Sequence, residues 1–184
     1  LKPNIAKAKA YLEKARVELG IDKFDKVSYL IGDSPSAKLY AEYIQQSLKK
    51  SLNLDIKIDV QTFKQRLAKA HKGDFDIGGT GWGPDYNDPM TFGDLFASWN
   101  ENNRGGYDSP EYDKNVRIAQ NSTDQKVRME AFNRCQKIME EDAGIIPLFE
   151  SGVIYVQDPR LVGVIRNVVG ADPCFVYAKI KEKK

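Results

Sequence analysis

Leu54-Asp55-Ile56-Lys57-Ile58-Asp59-Val60-Gln61 alternates apolar with polar residues, and Thr62 then opens a helical pattern that runs to residue 71. A period of two puts the aliphatic side chains on one face of an extended strand and leaves the other face wet. Thr62 offers a side-chain oxygen to cap the helix that follows. This strand-then-helix unit decides the fold class because related units flank it. Upstream, residues 26–31 predict a short strand, Gly32-Asp33-Ser34-Pro35 a capping turn, and residues 36–52 a helix. Downstream, Asp74-Phe75-Asp76-Ile77 reads as another short strand. It runs into Gly78-Gly79-Thr80-Gly81-Trp82-Gly83-Pro84, where regular structure stops. Alternating strands and helices over the first half of the chain predict an α/β fold, with a sheet covered by helices.

Further out, residues 3–20 carry Ile5, Ala8, Tyr11, Leu12, Ala15 and Leu19 at helical spacing, with Pro3 near the start and Gly20 at the end. Residues 90–99 predict a short helix, 100–109 a polar loop, and Pro110 and Asp124 each head a further helix. Residues 145–149, 152–156 and 175–180 read as strands, and 181–184 as a charged tail. The second half is thus mixed. No internal repeat or low-complexity linker interrupts the chain, so 184 residues are expected to form one unit.

Twenty-eight basic residues against twenty-six acidic ones leave a net charge of +2. That balance does not suit a protein whose affinity comes from neutralising phosphates, and nucleic acid is not an expected partner. The charge is unevenly spread, with 15 basic and 8 acidic residues up to Lys72 but 13 and 18 beyond it. No apolar run approaches the ~20 residues that cross a bilayer. Leu1-Lys2-Pro3-Asn4 carries no secretion-signal pattern, and the lack of an initiator Met predicts a processed or excised segment. Cys135 and Cys174 are too few for a disulfide framework and lack metal-ligand spacing, so neither metal nor cofactor is expected. Cys135 shares a helical face with Phe132, Ile138 and Met139 and reads as a small buried hydrophobe.

Open α/β sheets collect ligands where strands end, which directs attention to the loop after residues 74–77. Its glycines 78, 79, 81 and 83 lack the Gly-Lys-Ser/Thr of a phosphate cradle; they point instead to close approach by a ligand backbone or a neighbouring strand. Asp85 and Asp88 make a weak acid/base pair, because closeness in sequence sets no carboxylate separation. His71, the single histidine, sits at a polar helix end with no nucleophile motif around it. No catalytic residue is therefore assigned. Trp82-Gly83-Pro84-Asp85-Tyr86-Asn87-Asp88-Pro89 sets a carboxylate beside two large aromatic rings, a combination suited to an ammonium ligand. Equally, Asp85 would cap the turn before the next helix while Trp82 fills core, and the residues alone leave both readings open.

Asp74-Phe75-Asp76-Ile77 followed by Gly81-Trp82-Gly83-Pro84-Asp85-Tyr86-Asn87-Asp88-Pro89 resembles the signature of the family 5 extracytoplasmic solute-binding proteins, the peptide-binding components of ABC importers. Tyr107-Asp108-Ser109-Pro110-Glu111-Tyr112-Asp113 resembles a second element of that family. Glu140-Glu141-Asp142-Ala143-Gly144-Ile145-Ile146-Pro147-Leu148-Phe149 resembles a third, and residues 4–19 resemble a helical segment. The resemblance covers nearly the whole chain in order. Pro84 stands where Ala is frequent, removing one backbone donor, and Gly144 stands where Pro is frequent.

The resemblance implies a periplasmic-binding-protein-like (type II) lobe, a mixed sheet flanked by helices. Residues 1–184 would form the C-terminal ligand-binding lobe of a larger bilobal receptor whose N-terminal lobe is missing here. It implies extracytoplasmic, lipid-anchored placement in the full protein and a non-catalytic role in importing oligopeptides or dipeptides. The implied partners are a peptide, the missing lobe and the importer's membrane subunits. Asp85 would pair with the peptide's α-ammonium, Gly81, Trp82 and Gly83 would line its main chain, and Tyr86 and Asn87 would lie alongside. Three alternatives stand beside it: a same-fold receptor for a metal chelate, sugar or signalling peptide; an α/β hydrolase using Asp85 or Asp88; and a docking module that binds no ligand by itself.

Overall fold

The computed structural model describes residues 3–25, 27–167, 169 and 173–182. Lys26, where the first predicted strand begins, and Lys183 and Lys184 of the predicted tail lie outside them. The chain forms two compact units, residues 1–81 and 82–184.

In the first unit, α1 (Ile5–Leu19) starts at Asn4, whose side chain accepts from the Lys7 N–H, and ends on Gly20 at φ 64°. β1 (Val27–Gly32) leads through Ser34, the N-cap, into α2 (Pro35–Leu52). β2 (Ile56–Gln61) leads through Thr62 into α3 (Phe63–His71), where Gln65 completes a capping box. β3 (Ile77–Gly78) completes a parallel sheet of order β2-β1-β3. Val27 pairs with Ile56 at one end of β1 and Gly32 with Gln61 at the other, while Tyr29 faces Ile77. Tyr29, Ile31, Ala41 and Ile56 form a buried cluster, with Ile44, Leu48, Leu54 and Ile58 packed around it.

Only two residues of β3 pair, and a side chain supports that short contact. The Asp76 carboxylate accepts from both the N–H and the hydroxyl of Ser28 at 2.7 Å, and the Asp76 N–H donates back to Ser28 Oγ at 3.0 Å. Those two donors hold the Asp76 carboxyl below the usual carboxylate range. α1 departs from its predicted stripe. Ala8, Leu12 and Ala15 are half-buried, whereas Ile5, Tyr11 and Leu19 are exposed, because the helix buries only a narrow face.

In the second unit, α4 (Met90–Gly93) is shorter than the helix predicted over 90–99. Beyond it the chain continues in single turns, with Leu95 N–H donating to Phe92 O and Ala97 N–H to Asp94 O. α5 (Pro110–Asn121) and α6 (Gln125–Asp142) pack on each other around Ala97, Tyr112, Val116, Cys135 and Met139. Cys135 is buried, as its helical face predicts, and burial pushes its thiol up to about 11. Both cysteines are free thiols.

The strands predicted over 145–149 and 152–156 do not form; residues 145–158 hold no regular structure. A strand needs a neighbouring backbone, and none of the described strands pairs with these residues. Their apolar side chains stay in solvent, Ile154 at 92% and Val156 at 99% exposure. The strand predicted over 175–180 is reduced to β5 (Lys179–Ile180), antiparallel to β4 (Leu161–Val162). Among the described residues no helix is long and apolar enough to cross a membrane.

Candidate functional site

The glycines after β3 divide into two kinds. A Cβ at Gly79 would lie 3.1–3.2 Å from Tyr29 and Ile31, so a neighbouring strand explains that residue. At Gly81 and Gly83 a Cβ would meet no described heavy atom within 4 Å, and neither has a positive φ. The main chain is therefore uncovered there. Gly81 closes the first unit and Trp82 opens the second, so the boundary falls within the candidate stretch.

Within the second unit, residues 82–91 form a loop held from behind. Thr91, only 4% exposed, accepts the Asp85 N–H at 3.1 Å and lies 3.5 Å from Trp82 Nε1. Asp88 accepts the Met90 N–H through Oδ1 at 2.9 Å, and Arg128 of α6 donates to both Asp88 oxygens at 2.7 and 2.6 Å. Asp88 is thus consumed by the scaffold, which removes one half of the acid/base pair considered from sequence. Pro84 leaves no gap in this pattern, since the loop's bonds start from Asp85, Asp88 and Met90.

What the loop holds outward is Asp85. Its side chain is exposed, and among the described residues its carboxylate has no hydrogen bond or ion pair. Trp82, Tyr86 and Asn87 are exposed beside it in sequence, the two rings at 38% and 46%. Burial raises the Tyr86 hydroxyl above its ordinary value, and the charges of Asp94, Asp88 and Asp85 raise it further. Burial likewise raises the Asp94 carboxyl. The loop thus gathers negative charge around aromatic surface, a setting that favours a cation. Among the described residues no group of acidic, histidine or cysteine side chains could hold a metal ion.

The other motifs read from sequence build support. Asn103 grips Tyr107 at both ends of its backbone, at 3.0 and 2.7 Å, and the Tyr107 hydroxyl donates to Asp142 at 2.6 Å. Tyr112 donates to Gly93 O at 2.8 Å, fixing the end of α4. Asp113 accepts from the Ser98 N–H and hydroxyl. Gly144 lies against Met139 and the Tyr107 ring, where a Cβ would sit 2.6–2.9 Å away. Thr91 and Arg128 escaped the sequence reading. Arg128 lies 40 residues from its partner, and no periodicity marks Thr91 as a hydrogen-bond hub.

Comparison with known proteins matches residues 2–104 to the bacterial extracellular solute-binding proteins, family 5 Middle. The chain belongs to this family. It is 32% identical over 170 residues to the dipeptide-binding protein DppE of Bacillus subtilis, covering 92% of this chain and 31% of that protein. It is 34% identical over 173 residues to the oligopeptide-binding protein OppA of the same organism, covering 91% of this chain and 31% of that protein. In fold it matches the substrate-binding domain of an oligopeptide ABC transporter from Bacillus anthracis. That match has a TM-score of 0.90 and 33% identity, and covers 99% of this chain and 36% of that one. It also matches Listeria monocytogenes OppA bound to peptide, with a TM-score of 0.85 and 30% identity, covering 98% and 34%. The fold is the type II periplasmic-binding-protein-like one expected from the sequence, and the chain spans about a third of the length of these relatives.

Proposed function

We propose that this chain is the C-terminal lobe, residues 1–184, of an extracytoplasmic receptor that captures peptides for an ABC importer without transforming them. The observation that carries the reading is the Asp85 carboxylate, exposed and, among the described residues, without a hydrogen-bond or ion-pair partner, on a loop with Trp82, Tyr86 and uncovered backbone at Gly83. An ionised carboxylate bonds an ammonium group with charge-assisted strength, and an indole face adds cation–π attraction. The bare main chain at Gly83 leaves room for a peptide backbone, and Gly81 and Asn87 adjoin it in sequence. The names of the relatives, dipeptide- and oligopeptide-binding, support the same ligand class.

In the whole protein the N-terminal lobe closes over this loop, the importer's membrane subunits accept the loaded receptor, and a lipid anchor holds it at the membrane. Residues 145–156 support the missing-lobe part of the reading. They hold two short apolar stretches without regular structure, and Ile154 and Val156 are almost fully in solvent, as side chains without a covering neighbour would be. The test is a calorimetric titration of the complete receptor with short peptides, unmodified and N-acetylated. Acetylation removes the positive charge and is expected to weaken binding at least tenfold, with Asp85→Asn removing most of that difference. Equal affinity for the two peptide forms in the wild-type receptor would overturn the reading.

A further inference from the structure

The Asp85 carboxylate is useful only if the loop holds it outward, and a buried hydroxyl does that holding. Thr91 Oγ1 is the one side-chain atom among the described residues on which donors from both Asp85 and Trp82 converge, at 3.1 Å from the backbone N–H and 3.5 Å from the indole nitrogen. A hydroxyl oxygen has two acceptor sites, and here each faces a donor from the candidate loop. Thr91 is itself anchored: its N–H donates to Asp88 O at 3.1 Å, and Asp88 is clamped by Arg128. With 4% exposure, Thr91 is beneath the loop and away from any ligand surface.

We propose that Thr91 is a positioning residue for amine recognition: its buried hydroxyl fixes the Asp85 backbone and the Trp82 ring in the arrangement that receives a ligand's amino terminus. This rests on the assignment of Asp85 to that terminus. Ligand affinity is then set partly by a residue the ligand never meets. Valine keeps the shape of threonine and removes the acceptor, leaving two loop donors unpaired, whereas serine keeps the acceptor.

Two measurements test it. Amide hydrogen exchange at Asp85 in the complete receptor without a ligand reads the loop: Thr91→Val is expected to accelerate it about three- to tenfold, and Thr91→Ser to stay near wild type. Titration of the complete receptor with an unmodified tripeptide and its N-acetyl form reads the consequence. Thr91→Val is expected to weaken the free peptide about three- to tenfold and leave the acetylated one unchanged, with Thr91→Ser restoring the difference. Unchanged exchange in Thr91→Val, equal weakening of both peptides, or failure of serine to rescue would each overturn the proposal. Asp85→Asn run in parallel separates the two levels. If it leaves free-peptide affinity intact, the amine assignment falls and the exchange data alone judge whether Thr91 positions Asp85. If it weakens binding while Thr91→Val does not, only the role of Thr91 falls.

Discussion

Removing the charge pair between Asp88 and Arg128 should loosen the second unit by an amount its geometry sets. Arg128 Nη2 reaches both oxygens of Asp88 within 2.7 Å, and the side chains are 20% and 36% exposed. Hydrogen bonds to charged groups contribute about 1.5–3 kcal/mol. Asp88 is over a third exposed, so solvent screening lowers the expected coupling to about 1–2 kcal/mol. Asp88→Asn keeps an oxygen for the Met90 N–H, and Arg128→Met keeps an aliphatic stem near the Phe132 ring, 5.9 Å from the guanidinium. The two single variants and the double variant therefore isolate the pair. Urea unfolding followed by tryptophan fluorescence is the assay, since both tryptophans, Trp82 and Trp99, belong to the second unit. Each single variant should lower the midpoint by roughly 0.5–1 M, and the double variant should cost less than their sum by the coupling energy. A coupling below ~0.3 kcal/mol would refute the view that this pair clamps the loop.

Further outcomes follow from the packing and the titrating groups. Cys174 should react with a thiol reagent in the native chain at pH 8 while Cys135, its thiol raised to about 11 by burial, reacts only on unfolding; equal native rates would contradict its burial. The Asp76 carboxyl is lowered by Ser28, so its stabilising contribution is present above the unfolded value near 4 and fades as pH falls through the lower folded value. Ser28→Ala should accordingly cost more stability at pH 7 than at pH 2, and an equal cost at both would show that the ionised carboxylate is not what Ser28 serves. Gly144→Ala pushes a Cβ to 2.6 Å from Met139 Sδ and 2.9 Å from the Tyr107 ring, an overpacking expected to cost about 1–3 kcal/mol in a thermal melt; an unchanged melting temperature would mean that these neighbours yield freely.

The first unit was readable because its signals are local. Ile56, Ile58 and Val60 alternate with polar residues, Asn4, Ser34 and Thr62 stand at helix starts, and Gly20 ends α1. The same logic put Pro110 and Asp124 at the heads of two helices, and they stand as the first residue of α5 and the cap of α6. It failed over 145–156, where β-prone residues run together in two short apolar stretches but the described chain offers no partner backbone. It overextended α4, because periodicity through residue 99 does not reveal that the chain turns after Gly93, whose Cβ position is filled by the Phe132 ring. At the candidate site, the exposed carboxylate and rings were visible in composition. The bonds that shape them join residues 6, 9 and 40 positions apart, and only folding brings those together.

The proposed pairing of Asp85 with the charged amino end of a peptide would be visible in a crystal structure of the complete receptor with a bound tripeptide. The ligand's α-ammonium nitrogen is expected at about 2.7–2.9 Å from an Asp85 carboxylate oxygen, with the peptide backbone passing Gly83. A peptide bound with its amino terminus paired to another group, and Asp85 left in solvent, would contradict it.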